Sequence, residues 1–297
     1  KLPRQLKYTL RGHQGQVLAL VFDISGEYLL SAGEDSIVRL WSVQDGTLVK
    51  KFPIAHDAAI TDILLSRDRK TFITSDRNGR VLVWNTLKGS SVRSLYGPTS
   101  AVTSLAWSED ETILVGGTVE GCTYIWDLST RSHSPIQVLS HNSYPVSSVL
   151  VSEPFIATAS ADGVLRIYDV ETARVLERSF GSAASIGSLS LSKDRRMFLL
   201  GCLDDTIRLV DRKTGDELMR YRGHQNQGFY LRSHLPWDNS LVLSPSEDGR
   251  AFLWNLVEGT IAASLRHGDR PVLCAASHPK ERVLATAGAD GAIKVWE

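Results

Sequence analysis

The sequence predicts an all-β fold, a closed seven-bladed β-propeller with four antiparallel strands per blade. Three observations predict it. A bulky position recurs along the whole chain at Trp41, Trp84, Trp126, Tyr168, Val210, Trp254 and Trp296, in steps of 42 to 44 residues. A turn residue stands six positions before each: Asp35, Asn78, Glu120, Asp162, Asp204, Asp248 and Asp290. Between these markers lie short apolar runs broken by Gly, Asp and Ser, the punctuation of strands and turns rather than helices.

The first unit shows how each element follows. "VLALVF" 17–22 is almost continuously apolar, as a strand covered on both faces requires. "SG" 25–26 turns the chain into "YLLSA" 28–32. Acidic "ED" 34–35 turns it again into "IVRLW" 37–41. "DG" 45–46 then leads to "TLVKKF" 47–52, whose alternation and charge mark an outer strand. The chain ends after a third strand at Trp296–Glu297, and "LKYTL" 6–10 precedes the first unit with an outer-strand pattern. The N-terminal strand is therefore expected to complete the last blade, closing residues 1–297 into a single propeller domain.

Totals narrow the functional classes. Lys plus Arg equals Asp plus Glu at 33 each, which gives no support to bulk nucleic acid or an anionic membrane as partner. No apolar run approaches the ~18 residues of a transmembrane helix. Cys122, Cys202 and Cys274 are isolated in apolar stretches and read as buried free thiols of an intracellular chain. No metal spacing, Walker loop or dinucleotide fingerprint occurs, so neither metal nor cofactor is expected. "VGGT" 115–118 reads as a strand-end turn, and "SRDRK" 66–70 and "SKDRR" 192–196 as basic turns on one rim. Any RNA contact would be indirect or through those turns.

A His, a Ser or Thr, an Asp and a Trp recur together. Complete sets are His13–Ser31–Asp35–Trp41, His224–Ser244–Asp248–Trp254 and His267–Thr286–Asp290–Trp296. Near-complete sets are His56–Thr74–Asn78–Trp84 and His141–Thr158–Asp162–Tyr168. A hydrolase triad needs one exposed nucleophile on a sharp turn, whereas these hydroxyls lie in mid-strand and recur five times. The sets read as structural hydrogen-bond chains, because a buried indole N–H, hydroxyl and imidazole must each find a partner. No catalytic residue is expected. The third unit (Pro98, Gly116, Glu120) and the fifth (Ser182, Leu200, Asp204, Val210) lack the set and rely on stacking against neighbours.

With its "GH" and "WD"-type ends and its period, the chain resembles the WD40-repeat family. Within it, "GCLDDTIRLVDRKTGDELMRYRGHQNQ" 201–227, "SEDGRAFLWNLVEGTIAASL" 246–265 and "SADGVLRIYDVETARVLE" 160–177 are similar to the spliceosome-associated WD-repeat, MAP-kinase-organiser family. Tyr168–Asp169 and Val210–Asp211 fit that likeness. It implies a non-catalytic scaffold for other proteins, splicing factors or signalling kinases, in nucleus and cytoplasm, monomeric within larger complexes. Two alternatives are a propeller subunit of a histone methyltransferase complex and a substrate-recognition propeller of a ubiquitin ligase. The methyltransferase likeness implies an arginine guest gripped by two channel aromatics; Thr103 and Arg232 stand at those positions, or Phe229 at one of them.

Partner-binding candidates follow from exposure. The residue before each turn acid faces one rim: Glu34, Arg77, Val119, Ala161, Leu203, Glu247 and Ala289. The sixth unit is lengthened at "GHQNQGFYLRSHLPWDNS" 223–240, with Phe229, Tyr230, Arg232 and Trp237. Aromatic and Arg residues are the usual anchors of interfaces. Glu34, Arg77, Val119, Leu203, Phe229, Arg232 and Glu247 are the candidate contact residues.

Overall fold

A computed structural model describes residues 2–140, 143–170 and 184–297, together with the strand Val175–Leu176. It contains seven antiparallel sheets, each blade winding from an inner strand outward. Blade one is Val17–Phe22, Tyr28–Gly33, Arg39–Ser42 and Thr47–Lys51. Its inner strands sit within a residue of the sequence expectation. The inner strands of blades two to five are Ile60–Leu65, Val102–Trp107, Val146–Ser152 and Ile186–Leu191. Blade seven takes Val272–Ser277, Leu284–Gly288 and Ile293–Trp296, and its fourth strand is the N-terminal Leu6–Leu10. Leu6 pairs with Trp296 and Leu10 with Ile293, so the two ends of the chain close the ring.

The packing explains why no blade stands alone. Each of the seven apolar clusters is shared by two neighbouring blades. Ala19, Leu30 and Val38 of blade one, for example, pack with Ile60, Phe72 and Trp84 of blade two. A four-stranded sheet cannot bury its own faces, so stability comes from these interfaces.

Blade six departs from the others. Its sheet is Leu241–Pro245, Arg250–Asn255 and Ile261–Arg266. The inner position is reduced to one bridge, His234 to Leu243, with both backbone bonds 2.9 Å. The lengthened segment before it is irregular, and Trp237 there packs on the blade six–seven core and donates to the Glu281 carbonyl at 2.6 Å.

"VGGT" is not a strand-end turn: Val115–Thr118 lie inside the strand Ile113–Thr118. The glycines serve close approach. A Cβ on Gly116 would meet the Trp126 ring at 3.1 Å, and one on Gly117 would meet Val146 at 2.5 Å. Cys202 and Cys274 are buried free thiols, but Cys122 is half-buried.

Candidate interaction site at the channel mouth

The recurring polar sets hold the blades, and their geometry differs from blade to blade. In blade one Trp41 Nε1 donates to Ser31 Oγ (2.8 Å), Ser31 donates to His13 Nε2 (2.7 Å), and His13 Nδ1 donates to Asp35 (3.0 Å). Asp35 also accepts from the Gln14 amide and from Arg39, a buried residue that in turn donates to the Gly12 carbonyl. Burial alone would raise the Asp35 carboxyl; these donors, His13 first, outweigh it and hold it well below the usual carboxylate range. Arg39 escaped the sequence reading, although an Asp-to-Arg spacing of four recurs at Asp162–Arg166 and Asp204–Arg208, both ion-paired. Blade seven has the same chain with the ring turned over: Thr286 meets His267 Nδ1 at 2.8 Å and Nε2 faces Asp290 at 3.4 Å, while Trp296 donates to Thr286.

Two sets differ from expectation. In blade two Trp84 and His56 both meet Thr74, but the carboxylate is Asp76, 2.7 Å from His56 Nδ1, not Asn78. Asp76 ends its strand and reaches back under the turn, where it also accepts the amides of Asn78 and Arg80. Asn78 is left exposed at the turn. In blade six the chain does not form. Ser244 donates to the Pro245 carbonyl at 2.8 Å and accepts from Ser233 at 3.0 Å, Trp254 donates to the Arg222 carbonyl, and Asp248 caps the Arg250 amide. Both nitrogens of buried His224 are left without a hydrogen-bond partner among the described residues, and its ring stands edge-on to Trp254, 5.4 Å between centroids. Trp126 of blade three likewise donates to a backbone carbonyl, that of Tyr96. In blade four Thr158 and Tyr168 are buried and Asp162 pairs with Arg166; His141 lies outside the described residues, as does Ser182 of blade five. No hydroxyl of these sets is an exposed nucleophile: Ser31, Thr74, Thr158, Ser244 and Thr286 are all fully buried. Among the described residues no group of three His, Cys, Asp or Glu could hold a metal ion.

The channel is shaped by a repeated irregularity. In six blades the register of the two inner strands slips by one residue at the second inner-strand position. The unpaired residues are Leu18, Thr61, Thr103, Ser147, Gly187 and Leu273. Such a bulge re-aims one side chain. Thr61, Thr103 and Ser147 donate to the carbonyls of Val102, Val146 and Ile186, each in the next blade. Leu18 and Leu273, of blades one and seven, give the adjoining sector of the channel an apolar wall.

Arg232 crosses this channel. Its guanidinium lies 2.5 Å from Asp62 of blade two and donates to the Thr103 carbonyl of blade three at 3.2 Å. Asp62 is 1% exposed and also accepts the amides of Ile63 and Leu105. Burial opposes the Arg232 charge, but Asp62 more than compensates and raises its pKa. Above the pair opens a cavity of about 410 Å³. Four of the seven contact candidates line it: Arg77, Val119, Phe229 and Arg232. Leu203 is adjacent, where it and Tyr230 lie over Gly187. Val119, Phe229 and Tyr230 remain 39%, 38% and 37% exposed.

Glu34 and Glu247 are not free contact residues. Glu34 accepts the Gln16 amide at 3.0 Å, and one oxygen of Glu247 gathers the amides of Gln227, Gly228 and Phe229 at 2.9, 2.7 and 3.1 Å. Glu247 thus folds the lengthened segment and places Phe229 at the mouth. The basic turns of the opposite rim are occupied too: Arg69 pairs with Asp23 and Glu27, Arg195 with Glu109, and Lys193 donates to the Trp237 carbonyl.

A ring of seven sheets with these polar chains belongs to the WD40 proteins. The WD domain, G-beta repeat family matches residues 4–42, 46–85, 89–127, 133–169 and 259–297, so the chain is a member. The matched segments leave out 170–258, where blade five carries Leu200 and Val210 in place of the hydroxyl and indole and the polar chain of blade six is broken. Over its whole length the chain is similar to WD repeat domain-containing protein 83 of Rattus norvegicus, 34% identical and covering 93% of it. The protein of that name from Homo sapiens is 33% identical with the same coverage. A Dictyostelium discoideum homolog of it is 26% identical over 97% of this chain and 96% of its own. Proteins of this family are generally non-catalytic platforms for protein–protein interaction.

Proposed function

We propose that this chain is a non-catalytic scaffold that assembles protein complexes in the manner of the WD repeat domain-containing protein 83 group, serving pre-mRNA splicing and the organisation of MAP-kinase signalling in nucleus and cytoplasm. The observation that carries this reading is the end-to-end likeness to those relatives, at 34% identity over all of this chain. The channel mouth, with exposed Val119, Phe229 and Tyr230 clustered around a cavity, is the surface assigned to the partner. An arginine guest, as the methyltransferase alternative requires, is disfavoured because Arg232 already fills the channel against Asp62.

The test is affinity purification of the tagged chain with mass spectrometry. Splicing factors or kinase-cascade members should co-purify in stoichiometric amounts, and Val119→Lys at the rim should deplete them. Purification without any specific partner sinks the reading. Methyltransferase subunits in their place would shift it to the chromatin alternative.

A further inference from the structure

Building on the mouth as the contact surface, we infer that it receives an acidic peptide segment in which a bulky apolar side chain is flanked by carboxylates. The polar groups of the floor are already spent. Thr61, Thr103 and Ser147 donate to carbonyls of neighbouring blades, and Arg232 is matched by Asp62 and the Thr103 carbonyl. What the cavity still offers is an apolar wall of Leu18, Leu273, Val119 and Phe229 and a single unmatched charge, Arg77. Arg77 is exposed, and among the described residues its guanidinium makes no ion pair or hydrogen bond.

Among the described residues no carboxylate lines the cavity. Glu247, on the same rim, has one oxygen held by three backbone amides. With Arg232 matched by Asp62, and Glu247 engaged by amides, a basic segment would meet the unmatched Arg77, whereas an acidic one gains it as partner. About 410 Å³ suits a large side chain with its neighbours rather than an extended polymer. One cation beside an apolar wall is also a poor match for a phosphate backbone, which calls for several cations in a row.

The experiment uses the full chain and fluorescein-labelled Gly-Asp-Trp-Asp-Gly in fluorescence anisotropy at low salt. Comparator peptides replace both Asp by Lys, or Trp by Ala. The acidic aromatic peptide should bind saturably, and each comparator about tenfold or more weakly. Arg77→Glu should weaken the first peptide about tenfold while leaving the melting temperature unchanged, since among the described residues its guanidinium has no partner to lose. Phe229→Ala should weaken it as well. Equal binding of the lysine peptide, no saturable binding of the acidic one, or indifference to Arg77→Glu would each overturn the inference. Displacement of the peptide by decauridylate RNA would overturn it in favour of a nucleic-acid ligand. If cellular partners co-purify and survive Arg77→Glu, this ligand class fails while the scaffold stands. If no partner co-purifies with the unaltered chain, it is the scaffold that fails.

Discussion

Arg232 of blade six and Asp62 of blade two, 2.5 Å apart, join opposite sides of the ring through the middle of the channel. The carboxylate is fully buried and the guanidinium partly wet. Losing the cation would strand a buried anion held, among the described residues, by two amides. Arg232→Met should cost roughly 2–4 kcal/mol in urea unfolding. Adding Asp62→Asn should recover part of it, because the stranded charge is gone. An unchanged midpoint for the single variant would show that the pair is worth nothing to the fold.

The two histidines of blades one and six should respond oppositely to the same replacement. His13 joins Ser31 to Asp35, whereas His224 has no polar partner among the described residues. His13→Ala or His13→Phe should destabilise by about 1–3 kcal/mol, since Ser31 and Asp35 lose a partner in a buried setting. His224→Phe keeps the edge-on packing against Trp254 and removes two uncompensated nitrogens, so it should be neutral or stabilising. Thermal melts of the two Phe variants decide; equal losses would refute the difference in bonding. Neither variant should abolish a catalytic activity.

Blade two offers a comparison two residues apart. Asp76→Ala removes the acceptor of His56 and of two turn amides, and should cost about 2–3 kcal/mol. Asn78→Ala, at an exposed turn position, should stay within about 0.5 kcal/mol. Denaturant midpoints in the reverse order would restore Asn78 as the structural residue.

Acid should weaken the ring before its carboxylates are touched. Burial pushes the His234 imidazole down to about 4 from its ordinary 6.5 and lowers His13, His224 and His267 in the same direction. The unfolded chain takes up these protons near pH 6.5 and the folded one only further down. Stability is therefore complete above pH 6.5 and declines as the pH falls toward 4. Asp35, held low, adds a further loss as the pH falls through its ordinary 3.8. Melting temperatures measured from pH 7.5 to 4.5 should fall steadily; a flat profile would contradict the burial of these rings.

The repeat made the architecture readable because every blade solves the same packing problem with the same spacing. The bonds around His13 and His267 are readable for the same reason, since their partners lie in one sheet at fixed intervals. The misreadings have local causes. Asp76 took the role given to Asn78 because a strand-end carboxylate reaches both the histidine and the turn. The His224 set failed because Ser233, from a segment without counterpart in other blades, engages the Ser244 hydroxyl. Glu34 and Glu247 looked unemployed because their duties are to backbone amides, which carry no sequence signal. Arg77, Val119, Phe229 and Arg232 come together at one cavity although drawn from three blades: the repeat register places Arg77 and Val119 there, and the lengthened segment of blade six brings Phe229 and Arg232. The Arg232–Asp62 pair itself could not be read, being 170 positions apart with no periodic hint.

The seam at which Leu6–Leu10 pairs with Ile293–Trp296 sets the timing of assembly as well as its shape. Leu6–Leu10 must wait, unpaired, until Ile293–Trp296, about 280 positions later, has been made. Every earlier blade can stack on its predecessor as it emerges, but the circle cannot cooperate until that final, most distant pairing forms. A ribosome halted a few blades short would carry a chain with open apolar faces at both ends of its stack. Such a chain is prone to stick to its neighbours, so closure of the ring, more than any local element, releases the finished platform.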